Sequence, residues 1–327
     1  MRYFKTPERS QLLLLTNVDL NTAAPIGSAV YAIDKLVDQL DTKEIERTYD
    51  LENERGGLPI HPKTIIKLAL YAMHNCRFSL RKMEYDTEYN LSYRWLTGNI
   101  KIDHSTIGKF LVKYKKLIVE LFAQVVEIGV EKDLVDFEVL AIDTVKIRAN
   151  ASYKQFKSVE GIEKEKAKIR VKIYDLLEKA KDENIKEIDL LNQRTSKLEQ
   201  ATSELKWRIE AKIKKTDNEK DKERLEKKEK INITDFDCIK VKQANGEKNP
   251  GYCVTVAADT KTDFITDLEM SQNNDAKILP VIIEGSKENT GEAHDVILAD
   301  SGFSSIDNLE KLEAREQDAL IPDRQCC

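Results

Sequence analysis

Two aspartates, each closing a short apolar run, are the residues of this 327-residue chain whose type and setting suit chemistry. Asp143 follows Val139-Leu140-Ala141-Ile142, and Asp300 follows Val296-Ile297-Leu298-Ala299. An apolar run ending in a carboxylate predicts a buried strand that delivers one charge to the edge of a sheet, within reach of water and a metal. Magnesium takes oxygen ligands, keeps several waters and binds through one or two carboxylates plus phosphate oxygens. Two such acids brought together would form most of a two-metal phosphoryl-transfer site. The alternative for each is an N-cap or turn residue with no catalytic part.

Positioning these acids requires a sheet, and strand signals gather around them. After the Asp143 strand, Gly251–Asp259 and Phe264–Met270 predict a hairpin, with its turn at Thr260–Asp263. A helix over about residues 276–287, the Asp300 strand, a helix over about 306–317 and a short strand Ala319–Pro322 follow. Between the first two strands, Tyr153–Ile231 has almost no Gly or Pro and is dense in Lys and Glu. Its apolar residues, among them Ile162, Ile169, Ile173, Leu198, Leu205 and Ile209, fall at helical spacing and predict a helical hairpin or coiled-coil insertion. That insertion reads as a solvated spacer or dimerisation arm, or else its cations and Trp207 touch DNA. Lys212–Lys230 is so poor in apolar residues that part of it is expected to be mobile.

Upstream, the pattern is helical. An amphipathic helix is expected over Ala29–Leu40, a turn at Gly56–Pro59, and a buried helix from Pro62 to about Arg77. A shorter helix over Leu80–Tyr89 has Ser79 as its expected N-cap, and Asp103 or Ser105 caps one long helix running through Val126. The net charge of −5 hides a basic stretch: residues 60–116 hold eleven Lys or Arg against four acids. This predicts a phosphate-binding surface, with Lys63, Arg81, Lys82, Arg94 and Lys109 as candidates. Solvated helix faces would give the same charge pattern. Three helices joined by short turns also suit a helix-turn-helix module.

Composition narrows the class. With 41% apolar and 34% charged residues the chain reads as a soluble protein with a core. No apolar run approaches the roughly 18 residues of a membrane span, and the N-terminus lacks a signal-peptide core, so a cytoplasmic location is expected. Five cysteines without paired spacing indicate neither a disulfide framework nor a zinc site.

The wording of both acid motifs is specific. Ala141-Ile142-Asp143-Thr144-Val145-Lys146-Ile147-Arg148-Ala149-Asn150-Ala151-Ser152 resembles the first-aspartate motif of DDE transposases of bacterial insertion sequences, and Leu298-Ala299-Asp300-Ser301-Gly302-Phe303-Ser304 resembles the second. His61-Pro62, Ser79–Glu84, Tyr93–Leu96 and Asp103–Thr106 resemble the N-terminal domain of the same proteins. The resemblance implies an α/β fold: a ribonuclease-H-like mixed sheet over 136–325 with the insertion at about 153–231, preceded by an all-α DNA-binding domain over 1–135. The first strand would be central with the fourth beside it, bringing Asp143 and Asp300 together.

The resemblance also implies DNA transposition on double-stranded element ends and target DNA, by a homodimer, with Asp143 bridging two Mg2+ ions and Asp300 holding one. Lys146, Arg148 and Lys154 would neutralise phosphates of the bound end, or be surface charges flanking a strand. A third acid, a Glu on a helix after the last strand, is part of the family pattern. The sequence stops at Pro322–Cys327, so truncation and impaired cleavage are expected. Glu310, Glu313 and Glu316 precede the last strand and read as a solvated face. The alternative is an inactive DNA-binding or dimerising fragment.

Overall fold

In residues 1–135 apolar side chains recur at three and four, and helices form there. The computed structural model describes residues 5, 12–13, 18–20, 24–49, 58–178, 184–214, 224–225, 227–242, 246–271 and 277–323. The expected turn at Gly56-Gly57, much of the Lys212–Lys230 run and Arg324–Cys327 lie outside these residues. The chain divides into two units, Met1–Val135 and Asp136–Cys327.

In the first unit a short antiparallel pair, β1 (Leu12–Leu13) and β2 (Val18–Asp19), precedes the helices. These are α1 (Ala29–Gln39), α2 (Lys43–Tyr49), α3 (Pro62–His74), α4 (Leu80–Tyr89), α5 (Leu91–Thr97), α6 (His104–Lys113) and α7 (Lys115–Glu131). Val37, Ile65, Leu68, Ile107, Phe110 and Tyr114 lie in their common core.

Three details differ from the sequence reading. Ser79 does precede α4 in extended backbone, but its side chain makes no cap hydrogen bond. Helix α5 was hidden by its length. Asn90 opens it by accepting from the Ser92 N–H at 3.1 Å, and Gly98, at φ 58°, closes it in the left-handed conformation that glycine adopts without strain. The single long helix bends at Tyr114, which sits at φ −102°, ψ 13° between α6 and α7. The helical ladder survives the bend: the Tyr114 N–H reaches the Phe110 carbonyl at 3.0 Å and the Ile118 N–H reaches that of Tyr114 at 2.9 Å. Burying the Tyr114 ring against Phe110, with centroids 5.0 Å apart, accompanies the kink. Asp103 caps α6 as expected, accepting from the Ser105 N–H at 2.7 Å.

The second unit is built on β3 (Val139–Arg148). After β3 come β4 (Phe156–Lys157), α8 (Val159–Glu178), α9 (Asn184–Ile213), β5 (Ile231–Asn232), β6 (Ile239–Lys242), β7 (Lys248–Asp259), β8 (Phe264–Ser271), α10 (Leu279–Thr290), β9 (Val296–Ala299), α11 (Ile306–Ala314) and β10 (Asp318–Leu320). The main sheet runs β10-β9-β3-β7, with β6 and β8 both paired to β7. β3 is parallel to β9 and antiparallel to β7, and β9 is parallel to β10. The first strand is thus central and the Asp300 strand lies beside it, as the element order implies. Strand β6 escaped the sequence reading because it has only four residues and alternates with lysines.

Alternation along β3 sets the core on one side. Leu140 and Ile142 pack with Leu279 and Ile282 of α10 and Leu312 of α11. The opposite face stays open: Val145, Ile147, Leu268, Met270 and Leu298 are 42–61% exposed.

The insertion is the helical hairpin α8–α9. The helices run antiparallel, since Glu165 pairs with Arg194 at 2.8 Å and Lys172 with Glu187 at 2.7 Å. Ile162, Ile169, Leu198, Leu205 and Ile209 fill their seam, while Trp207 is exposed. Strands β4 and β5 pair at the hairpin's base. There the buried Asn232 donates to the Ser152 carbonyl at 3.0 Å and accepts from the Thr234 N–H at 2.9 Å.

Candidate catalytic carboxylates and DNA-binding face

Asp143 does not end its strand, contrary to the sequence reading. It is the fifth of ten residues in β3, because pairing with β7 continues from Asp143↔Val256 as far as Arg148↔Gly251. The strand that ends is β9. Its register with β3 runs to Ile142↔Ala299, so one further residue sets Asp300 beside Asp143. Strands lie about 4.8 Å apart, a spacing that two carboxylates can span to a shared cation. Alternation places both acids on the open face: their preceding neighbours Ile142 and Ala299 are buried in the core of the other face.

Local chemistry fixes each carboxylate. Asp300 caps the tight turn Ser301–Phe303 by accepting from the Gly302 N–H at 2.9 Å. A Cβ on Gly302 would stand only 2.9 Å from the same Asp300 oxygen, so glycine permits the close approach. The buried Phe303 ring anchors the turn to the core. Asp143 Oδ1 accepts from the Thr144 N–H at 2.6 Å, and the Thr144 hydroxyl meets that of Thr255 at 3.1 Å. Each acid therefore holds one oxygen on backbone and keeps the other without a protein partner among the described residues. An oxygen-only, solvent-exposed donor pair of this kind fits a hard divalent cation such as Mg2+ and does not suit a soft one. Among the described residues, no group of three His, Cys, Asp or Glu with ligand atoms all within 4.8 Å of one another includes either acid. Glu310 and Glu313 sit exposed on α11, the helix that covers the face opposite Asp143.

The basic candidates separate. Lys146 and Arg148 alternate onto the face of β3 opposite Asp143. Arg148 lines a cleft of about 390 Å³ with Asn150, Ser152, Tyr153, Thr234 and Asn249. In the first unit Arg81, Lys82 and Lys109 are exposed. Arg94 is half-buried and donates to Asn99 at 2.8 Å, and Lys63 donates to the Asp38 carbonyl at 2.9 Å. Lys67, part of the basic count, is no surface cation: it is 5% exposed and bonds Asp34 at 2.8 Å and Asp38. Glu84, Asp103 and His104 converge where α4 meets α6, with His104 Nδ1 2.6 Å from Glu84 and 3.4 Å from Asp103.

Comparison with known proteins agrees with this architecture. Residues 18–113 match the family model described as Transposase domain (DUF772), and residues 226–325 match Transposase DDE domain. The two matches support a DDE transposase of an insertion sequence. Its second unit is accordingly a ribonuclease-H-like α/β domain, and its family acts in DNA transposition. The DDE match takes in Asp300, while Asp143 falls between the two matched stretches and is tied to Asp300 by strand register. No curated protein matches this chain. No solved structure matches it. Among the described residues, no helix is long and apolar enough to cross a membrane.

Proposed function

We propose that this transposase binds the ends of its element through the helical first unit and presents Asp143 and Asp300 as magnesium ligands for strand cleavage and transfer. The observation that carries the reading is the parallel β3–β9 register, which sets two exposed carboxylates side by side at the point where β9 stops. Ligands of α/β sheets bind beyond the carboxyl ends of parallel strands; Asp300 stands just past the end of β9, and Asp143 stands where the parallel β3–β9 pairing ends. Asp143 and Asp300 would hold a divalent cation, which would supply positive charge to the attacking and leaving oxygens of an in-line phosphodiester displacement. Asp143 and Asp300 orient that charge, each through an oxygen left free by its backbone hydrogen bond. Arg81, Lys82 and Lys109, with Lys63 and Arg94 held closer to the protein, neutralise phosphates of the bound duplex. Lys146 and Arg148 meet DNA on the other face of β3.

The test compares Asp143→Asn and Asp300→Asn with the parent chain on a DNA carrying the element end. Both replacements are expected to abolish Mg2+-dependent nicking while retaining the DNA in a mobility-shift assay. Nicking that persists in both variants would refute the assignment. A second reading, an inactive DNA-binding or dimerising fragment, is favoured by the lack, among the described residues, of any mutually close group of three ligands that includes Asp143 or Asp300. It expects retention of DNA with no nicking by the parent chain either.

A further inference from the structure

Helix α4 is not fully absorbed by its fold. It buries Met83 and Thr87 against the first unit's core and turns Arg81, Lys82, Tyr85 and Tyr89 outward. At 3.6 residues per turn these four lie within an arc of roughly 100°. Tyr85 is 61% exposed and Tyr89 62%, and Phe78, just before the helix, is 73% exposed. None of the three rings belongs to a core cluster. The tyrosines touch each other, with centroids 4.4 Å apart and planes inclined at 31°. That separation leaves no room for a third ring between them, so they form one tilted platform.

The helix's carboxylates do not compete on this face. Glu84 is engaged by His104 at 2.6 Å, Glu88 by Lys101 at 2.7 Å, and the buried Asp86 lies 3.6 Å from Arg77. Arg81 and Lys82 form no ion pair among the described residues. The exposed arc is therefore two free cations flanking an aromatic platform.

We infer that the outer face of α4 binds DNA at unpaired bases, with Tyr85 and Tyr89 stacking on a base and Arg81 and Lys82 meeting the flanking phosphates. The inference rests on the reading that the first unit binds DNA, and adds the kind of DNA. In a continuous duplex the faces of the bases are covered by their neighbours, so a protein ring finds no partner there. At a single-stranded tail, gap or opened tip each unpaired base offers a face, and stacking on an aromatic side chain contributes strongly to retention of single strands.

The experiment measures binding of the full chain by fluorescence anisotropy to three probes at one salt concentration. These are a blunt duplex, the same duplex with a short 3′ single-stranded tail, and the tail strand alone. The parent chain is expected to prefer the tailed duplex to the blunt one. Replacing Tyr85 and Tyr89 together by Ala should weaken tailed binding about tenfold or more while leaving blunt-duplex binding unchanged. The double replacement by Phe, which keeps both rings, should restore it. Replacing Arg81 and Lys82 by Ala should weaken both probes and shallow the salt dependence. Equal losses on tailed and blunt DNA, or no preference in the parent chain, would overturn the inference and leave the DNA-binding reading intact. So would a change of the double Ala variant from dimer to monomer with DNA binding unaltered, since the platform would then join two copies. Failure of the parent chain to bind any probe would overturn both. The replaced side chains are exposed, and an unchanged circular-dichroism melt checks that each variant folds.

Discussion

Replacing Gly285 by Ala offers a sharp check on how α10 seats against the sheet. A methyl at this position would stand 2.2 Å from Asp267 Oδ2 and 2.9 Å from its Cγ. Asp267 cannot swing into water cheaply: it is 9% exposed and accepts from Asn289 Nδ2 at 3.2 Å. Displacing it forfeits a hydrogen bond to a charged group, about 1.5–3 kcal/mol. Crowding a packed site adds about 1–3 kcal/mol. Against these, Ala gains about 1 kcal/mol over Gly inside a helix. The net expectation is a loss of about 1.5–5 kcal/mol. The decisive comparison is a cycle with Asp267→Ala, which removes the clash. On that background Gly285→Ala should be neutral or stabilise by up to about 1 kcal/mol. Urea titrations followed by hydrogen-exchange mass spectrometry of the β8 and α10 peptides read the effect in the unit that holds the contact. An equal cost on both backgrounds, or a single variant as stable as the parent, would refute the reasoning.

Other outcomes follow from buried polar groups. Lys67→Met removes the cation from Asp34 and Asp38 and is expected to destabilise the first unit by about 3–5 kcal/mol, seen in denaturant titration. Burial pushes the His294 pKa below its ordinary value, with Asp259 3.1 Å away pulling the other way. The unfolded chain then takes up the proton first, so stability should fall as pH drops below about 6.5, by at most about 1.4 kcal/mol per pH unit. His294→Gln should flatten that dependence between pH 7.5 and 5.5. Burial, reinforced by Asp235 and Asp237, pushes the Cys238 thiol up to about 11. Peptide mapping after brief alkylation at pH 8 should find the exposed Cys76 labelled and Cys238 unmodified.

Most of the sheet was legible because β3 and β9 carry uninterrupted apolar runs, while the hairpin β7–β8 shows by its length and its β-branched residues. The alternative of a cap or turn role holds for Asp300, which caps the turn Ser301–Phe303. What failed was reading an acid as a strand terminus. An apolar run ends where burial ends, but hydrogen bonding continues wherever a partner strand does, and β7 extends six residues beyond Ile142 along β3. Charge counting failed at Lys67 for a related reason. Its partners lie 33 and 29 residues away, and only the packing of α1 on α3 brings them together. The aromatic platform on α4 was overlooked because tyrosines at i and i+4 read equally as core, and only burial distinguishes the two.

β9 stops at Ala299, yet β3 runs on to Arg148, so residues 143–148 are strand-paired with β7 alone among the described residues. An unfilled ladder edge of β-branched and apolar residues can template the addition of a strand from another copy. Lys146 and Arg148 sit on this edge, both exposed and neither ion-paired among the described residues. Two like charges repeated on each approaching copy repel, so a second β3 cannot zip alongside without bringing four cations together. The ladder edge beside Asp143 is thereby protected against pairing with a second copy of itself.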